Sequence, residues 1–74
     1  MSKLPVVSGK EVCLLLKKIG YYIDHQTGSH LILRNEKLPY RRITIPNHKE
    51  IAKGTLRSIM RQTGLTLEEF LDLT

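Results

Sequence analysis

The chain has 74 residues, 41% hydrophobic and 26% charged, which is the composition of one globular domain over residues 1–74 rather than of a disordered segment. Twelve Lys and Arg residues oppose seven Asp and Glu, giving a formal net charge of +5. Such a balance favours a polyanionic partner such as nucleic acid, or serves solubility alone. No apolar run is long enough for a membrane span or signal peptide, and one cysteine cannot form an internal disulfide, so we expect a cytoplasmic protein.

A first helix is predicted after Ser8. Ser8 and Glu11 have the spacing of a capping box, in which each side chain accepts a hydrogen bond from the backbone N–H of the other residue. Gly20 supplies the stop, because glycine adopts left-handed backbone geometry without strain. The apolar residues between them recur at the spacing of one helix face: Val12, Leu15, Leu16 and Ile19.

Three strands are predicted next, at Tyr21–Gln26, His30–Arg34 and Arg41–Ile45. The turn Thr27–Ser29 separates the first two, and the polar connection Asn35–Tyr40 separates the second and third. Pro46, which has no N–H to donate, is expected to end the third strand.

Alternation along the strands predicts two different sheet faces. The face that can share a core carries Leu31, Leu33, Ile43 and Ile45, and the opposite face carries His30, Ile32, Arg34, Arg42 and Thr44. The second face is therefore expected to be basic, with a histidine at its edge. The same alternation puts His25 on the side of Tyr21 and Ile23, which favours a structural role for His25.

Two further helices are predicted after an irregular link, Asn47–Gly54. The first runs from Thr55 to Gly64, and the second, from Leu67 to about Leu73, starts with a capping box at Thr66 and Glu69. The apolar stripe of the longer helix is Leu56, Ile59, Met60 and Thr63, and a basic stripe away from it is Lys53, Arg57 and Arg61. The order α-β-β-β-α-α predicts an α+β fold whose three-stranded antiparallel sheet is covered on one face by helices.

Six short motifs follow one another along the chain in a specific order. They are Leu4–Pro5, Ser8–Lys10, Gly20, Gly28–His30, Ile45–His48 and Lys53–Ile59. A Gly-Ser-His tripeptide alone is weak evidence, but Gly-Ser-His after a strand, followed by Pro-x-His and Gly-Thr-Leu-Arg at these separations, is specific. With these motifs the chain resembles the HicA/YcfA-like toxin family over nearly its whole length. Asn47 departs from the apolar residue that family members often carry there.

The resemblance implies a double-stranded-RNA-binding-like fold and metal-independent cleavage of mRNA through the Gly-Ser-His histidine, here His30. It also implies a partner, a HicB-type antitoxin. We expect that antitoxin to cover the face that carries His30, Arg34 and Arg42, because acidic groups placed there gain attraction and block RNA together.

The chemistry of His30 supports the same interpretation. RNA carries its own nucleophile, the 2′-hydroxyl, and imidazole titrates near neutrality, so it can take the nucleophile's proton or deliver one to the leaving 5′-oxygen. Gly28 and Ser29 would let the backbone approach a phosphate closely. The alternative is a polar histidine on an exposed strand face. His48 is the second candidate for the acid or base, although a histidine after Pro46 can instead bond backbone carbonyls.

The remaining residues leave three classes of function open. The basic stripe, Lys53, Arg57 and Arg61, could contact phosphates or be a solvated helix face. Cys13 is expected to be a small buried hydrophobe, and a zinc site is rejected because Cys13 and the histidines lack paired ligand spacings. The leading hypothesis is an endoribonuclease, the rival is a non-catalytic RNA-binding module, and the third is an interaction protein for an acidic partner.

Overall fold

The computed structural model describes residues 4–38 and 41–74. The elements in chain order are α1 (Gly9–Lys17), β1 (Tyr21–Thr27), β2 (His30–Asn35), β3 (Arg42–Pro46), α2 (Lys53–Thr63) and α3 (Leu67–Asp72). The strands form one antiparallel sheet in the order β1-β2-β3. Element order and sheet topology confirm the predicted α+β, double-stranded-RNA-binding-like fold. None of the described helices is long and apolar enough to cross a membrane.

Helix α1 begins at the predicted capping box. The Glu11 amide donates to Ser8 Oγ and the Ser8 amide donates to Glu11 Oε1, both at 3.1 Å, so two N–H groups that the first helical turn leaves free are satisfied. The helix ends at Lys17. A turn then leads through Gly20, whose φ of 98° only glycine adopts readily, into β1.

The strands differ from the prediction by one residue at several ends. β1 extends to Thr27, so the turn to β2 has only two residues. β3 starts at Arg42 rather than Arg41 and includes Pro46, which pairs with His30. A proline is tolerated there because it is the last residue of an edge strand, where a missing N–H breaks no interior ladder bond. Asn35 belongs to β2, and Pro39 and Tyr40 of the predicted connection lie outside the described residues.

The hydrophobic core lies between one face of the sheet and the three helices. All four strand residues predicted for the core face are buried, and they pack with residues of each helix. The side chains with almost no exposed surface are Val12, Leu16, Leu33, Ile45, Leu56, Ile59 and Phe70. None of the helices in residues 4–38 and 41–74 packs on the other face, so its side chains are exposed or half-buried. We call this second face the outer face: Tyr22, His25, Thr27, His30, Ile32, Arg34, Arg42 and Thr44.

The two C-terminal helices differ in how they begin. α2 starts at Lys53, two residues before the predicted Thr55, and its N-cap Ala52 makes no side-chain hydrogen bond. The predicted link included Gly54, which instead lies in the first turn of α2. Gly64, at φ 76°, ends α2 as predicted. The Thr66 capping box with Glu69 is present in α3 and orients the helix that buries Phe70.

The N-terminus of α1 lies directly against the link that follows β3. The Gly9 amide donates to the His48 carbonyl at 2.9 Å, and the Ile51 amide donates to the Val7 carbonyl at 2.8 Å. A side chain at position 9 would collide with the Pro46 carbonyl oxygen and lie 3.1 Å from Asn47 Cα. Glycine at position 9 therefore permits the backbone contact that fixes residues 46–51.

This contact predicts a large effect of Gly9→Ala. The added methyl group meets backbone atoms, which cannot rotate away, so we expect a loss of about 1–3 kcal/mol in unfolding free energy. In a domain of this size each kcal/mol lowers the melting temperature by about 4–8 °C. Thermal and urea unfolding of the purified variant measure the effect.

Gly54→Ala is the matched control. No atom lies within 4 Å of the position where its Cβ would be, so the same substitution should stabilise α2 by roughly 0.5–1 kcal/mol. Equal stabilities of wild type and Gly9→Ala would contradict the close contact.

Candidate active site

His30 lies on the outer face at the end of the central strand. It is the first residue of β2 and pairs with Thr27 on one side and Pro46 on the other. Its side chain is exposed, as expected for a residue on the face that no helix covers. Because β2 has a neighbour on both sides, the backbone that carries His30 is held from two directions while its imidazole stays accessible.

The β1–β2 turn brings a second histidine to the same end of the sheet. Gly28 occupies the turn at φ 51° and its surroundings are open. The Ser29 carbonyl accepts a hydrogen bond from the Asn47 amide at 2.6 Å, which draws the segment after β3 toward the turn. His48 follows directly, with its carbonyl held by Gly9 and its side chain exposed. The structure therefore brings together His30, the Gly28–Ser29 turn and His48.

The predicted position of His25 is wrong. The pairing of β1 with β2 shifts between Ile23, which pairs with Leu33, and His25, which pairs with Ile32. Leu33 and Ile32 are consecutive in β2, whereas their partners Ile23 and His25 are two residues apart in β1. Asp24 is therefore the extra residue of a β-bulge. Paired residues share a face, so Ile23 lies on the core side whereas His25 lies on the outer face with Ile32 and His30.

Asp24 contacts two basic side chains on the outer face. Its Oδ2 accepts a hydrogen bond from His25 Nδ1 at 2.8 Å and lies 3.6 Å from Arg34 Nε. The hydrogen bond from His25 lowers the pKa of the Asp24 carboxyl, and the charges of Arg34 and Arg42 lower it further against partial desolvation. Asp24 is thus ionised at neutral pH and orients the His25 ring.

The outer face as a whole is electropositive. Arg34 and Arg42 pair directly across β2 and β3, so their like charges lie close together. Among the described carboxylates, Asp24 alone contacts one of them, Arg34. Arg34 Nε is shielded from solvent, and no acceptor in residues 4–38 or 41–74 is within hydrogen-bond distance of it. Such a face attracts an anion that can accept from guanidinium groups.

The basic stripe lies elsewhere on the molecule. Lys53, Arg57 and Arg61 are exposed on α2, as the helical spacing predicted. However, α2 packs its buried residues on the core side of the sheet, so the stripe faces solvent beyond the helix layer, not the outer face. Of the three stripe residues, Lys53 is the nearest to His48 along the chain, because it begins the helix that follows the link.

Cys13 is buried, as predicted, and is far from the chemistry of the outer face. Burial raises the pKa of the Cys13 thiol, and Lys17 opposes this only in part. In the described part of the chain no three His, Cys, Asp or Glu side chains are grouped closely enough to hold a metal ion.

The bulge and the role of Asp24 were missed by simple alternation, although the sequence carries a signal for them. A two-residue turn pairs Gln26 with Leu31, which assigns even-numbered residues of β1 to the core side near the turn. Tyr21 and Ile23, at the other end, assign odd-numbered residues to that side. The two assignments agree only if one extra residue lies between Ile23 and Gln26.

Comparisons with known proteins place the chain in a family. The family model described as the HicA toxin of bacterial toxin–antitoxin systems matches residues 9–65, which include α1, the whole sheet and α2. No curated protein and no solved structure matches significantly. The matched segment contains Gly28–His30 and the link through His48. Since the match covers well over half of the sequence, the chain belongs to the HicA toxin family of bacterial toxin–antitoxin systems.

Proposed function

We propose that this toxin is an endoribonuclease that cleaves mRNA in the cytoplasm without a metal ion, with His30 as its general acid or base. The observation that carries the proposal is the position of His30: exposed at the end of the central strand, beside an open glycine turn, on the basic outer face. A titratable group at the edge of a cationic surface is suited to proton transfer at a bound phosphate.

The reaction needs little beyond such a group. When the 2′-hydroxyl of RNA loses its proton, its oxygen attacks the adjacent phosphorus, and the bond to the 5′-oxygen breaks as that oxygen gains a proton. Because the substrate supplies the nucleophile, no metal-bound water is required. Positioned imidazole catalysis of such a proton transfer contributes about 10²–10⁴-fold.

The cations would hold the RNA backbone in this proposal. Arg34 and Arg42 lie on the same face as His30 and can offset charge that develops on the phosphate. Gly28 and Ser29 form an exposed turn at the same end, and no described atom outside the turn lies within 4 Å of where a Cβ on Gly28 would be. The α2 stripe would contact phosphates of a strand that continues past the link toward Lys53.

Membership of a toxin–antitoxin family implies an antitoxin, and we propose that it covers the outer face. Besides its arginines, that face exposes Tyr22, with 43% of its surface accessible, and it also carries half-buried Ile32. An apolar patch flanked by cations is complementary to a partner surface with apolar and acidic side chains. Such a partner would exclude RNA from His30 and stabilise the small folded toxin by mass action.

Cleavage of a labelled RNA in excess chelator tests the enzymatic proposal. We expect wild type to cleave and His30→Ala to lose at least about 10²-fold in rate, because the proton-transferring group is gone. His30 is exposed, so its truncation opens no core cavity and the circular dichroism spectrum should be unchanged. RNA that is bound but not cleaved by wild type would instead identify an RNA-binding module. A folded, fully active His30→Ala protein refutes the role of His30.

Charge reversal tests the α2 stripe. Each phosphate contact contributes about 0.7 to the slope of log affinity against log salt for single strands, so Lys53→Glu with Arg57→Glu should reduce the slope by about 1.4. The control is Lys10→Glu with Lys17→Glu, which makes the same charge change on exposed positions of α1. Equal slopes for both double variants would mean that the stripe is solvated surface.

Hydrogen exchange of the toxin–antitoxin complex tests the covered face. We expect protection to concentrate on residues 28–34 and 41–48 and the complex to melt above free toxin. Tyr22→Asp should weaken the complex, whereas Leu14→Asp, which changes a more exposed apolar residue on α1, should not. Protection confined to α3, with RNA still cleaved by the complex, would rule out this arrangement.

A further inference from the structure

The two-residue turn between β1 and β2 places a pair of histidines on the outer face. Thr27 pairs with His30, and His25 pairs with Ile32, so His25 and His30 are diagonal neighbours across two adjacent strands. Diagonal neighbours on one face are about 7–8 Å apart, which long and aromatic side chains can bridge. Two imidazoles at this separation can flank a single phosphate group. The bulge lies beyond this pair, between Ile23 and His25, so it returns Ile23 to the core side while His25 stays on the face of His30.

Asp24 gives His25 a defined orientation. The carboxylate accepts the Nδ1 hydrogen at 2.8 Å, so the remaining ring nitrogen, Nε2, is the one available to a ligand. A carboxylate in this position fixes the tautomer and the ring plane of a histidine and stabilises its protonated form. Arg34, 3.6 Å from the same carboxylate oxygen, adds a cation beside the pair.

We propose that His25, oriented by Asp24, is the second proton-transferring group of the site and acts with His30 on opposite sides of the scissile phosphate. This inference rests on the proposed function, and it assigns the residue that supplies the second proton step. Asp24 is a positioning residue, since it acts through His25.

The two histidines balance the reaction. One neutral imidazole accepts the 2′-hydroxyl proton while the 2′-oxygen forms a bond to phosphorus. The bond from phosphorus to the 5′-oxygen breaks, and the other, protonated imidazole gives its proton to that oxygen. The products are a 2′,3′-cyclic phosphate and a free 5′-hydroxyl, and one histidine has gained the proton that the other has lost.

His48 is the rival for this role, and the structure favours His25. His48 lies in the link after β3, outside the paired strands. Its backbone carbonyl accepts a hydrogen bond from the Gly9 amide. No side-chain hydrogen bond orients its ring among the described residues, whereas His25 has Asp24. A group whose ring is already oriented loses less freedom on reaching the transition state.

Single-turnover cleavage across a pH series tests the proposal with five proteins: wild type, His25→Ala, His30→Ala, His48→Ala and Gln26→Ala. We expect His25→Ala to lower the rate by about 10²–10⁴-fold and to remove one limb of the bell-shaped pH profile, with RNA affinity nearly unchanged. Gln26→Ala changes the next exposed residue of β1, which faces the other way, and should cleave like wild type.

Asp24→Asn separates the positioning role from a structural one. It should lower the rate less than His25→Ala does, because the asparagine side-chain oxygen can still accept the Nδ1 hydrogen of His25. In the reciprocal measurement, His25→Ala should raise the pKa of Asp24 toward its ordinary value of 3.8, as followed by NMR.

The outcomes are distinguishable. If His30→Ala is inactive while His25→Ala keeps the wild-type rate and both limbs, the inference about His25 fails and the proposed function stands. If His48→Ala, not His25→Ala, removes the second limb, the role belongs to His48. A folded wild-type protein that cleaves no RNA overturns both proposals together.

Discussion

The turn between β1 and β2 has room for only two residues, Gly28 and Ser29, and this fixes which side chains of the sheet share a face. With Thr27 opposite His30, every pair up to the bulge follows, and the second ladder, which begins at His30 opposite Pro46, sets the face of β3. A shift by one residue would turn Leu31 and Leu33 outward and bury His30. The apolar core and the chemistry of the outer face thus depend on the same hydrogen-bond register.

The helix layer supports this register from the other side. The backbone of α1 contacts the link after β3 at Gly9, and the link in turn is bonded to Ser29 through the Asn47 amide. The chain that carries His48 is therefore held between the helix start and the hairpin turn. Here the stability of the fold and the geometry of the site depend on the same few backbone contacts, although the side chains on the outer face contribute little to the core.

Most of the fold could be predicted because its signals are local. The capping boxes at Ser8 and Thr66 and the apolar spacings of α1 and α2 depend on residues within one or two turns of each other. The core face of β2 and β3 followed from strict alternation, which those strands obey. β1 does not obey strict alternation, because two constraints set its faces: the hairpin turn at one end and the packing of Tyr21 in the core at the other. The bulge at Asp24 reconciles them, and alternation alone placed His25 on the wrong face. The direction of the α2 stripe relative to His30 was also beyond local signals, since it depends on which side of the sheet the helix packs.

Cys13 gives the molecule a chemical reporter of its own motion. Its thiol is buried between α1 and the sheet and its raised pKa keeps it in the unreactive protonated form, so alkylating reagents can modify it only when the core opens. As the chain's single cysteine, it makes the labelling rate a direct count of opening events near the helix that pins the link. A partner bound to the far side of the sheet would then be detected through slower labelling of a residue that it never contacts.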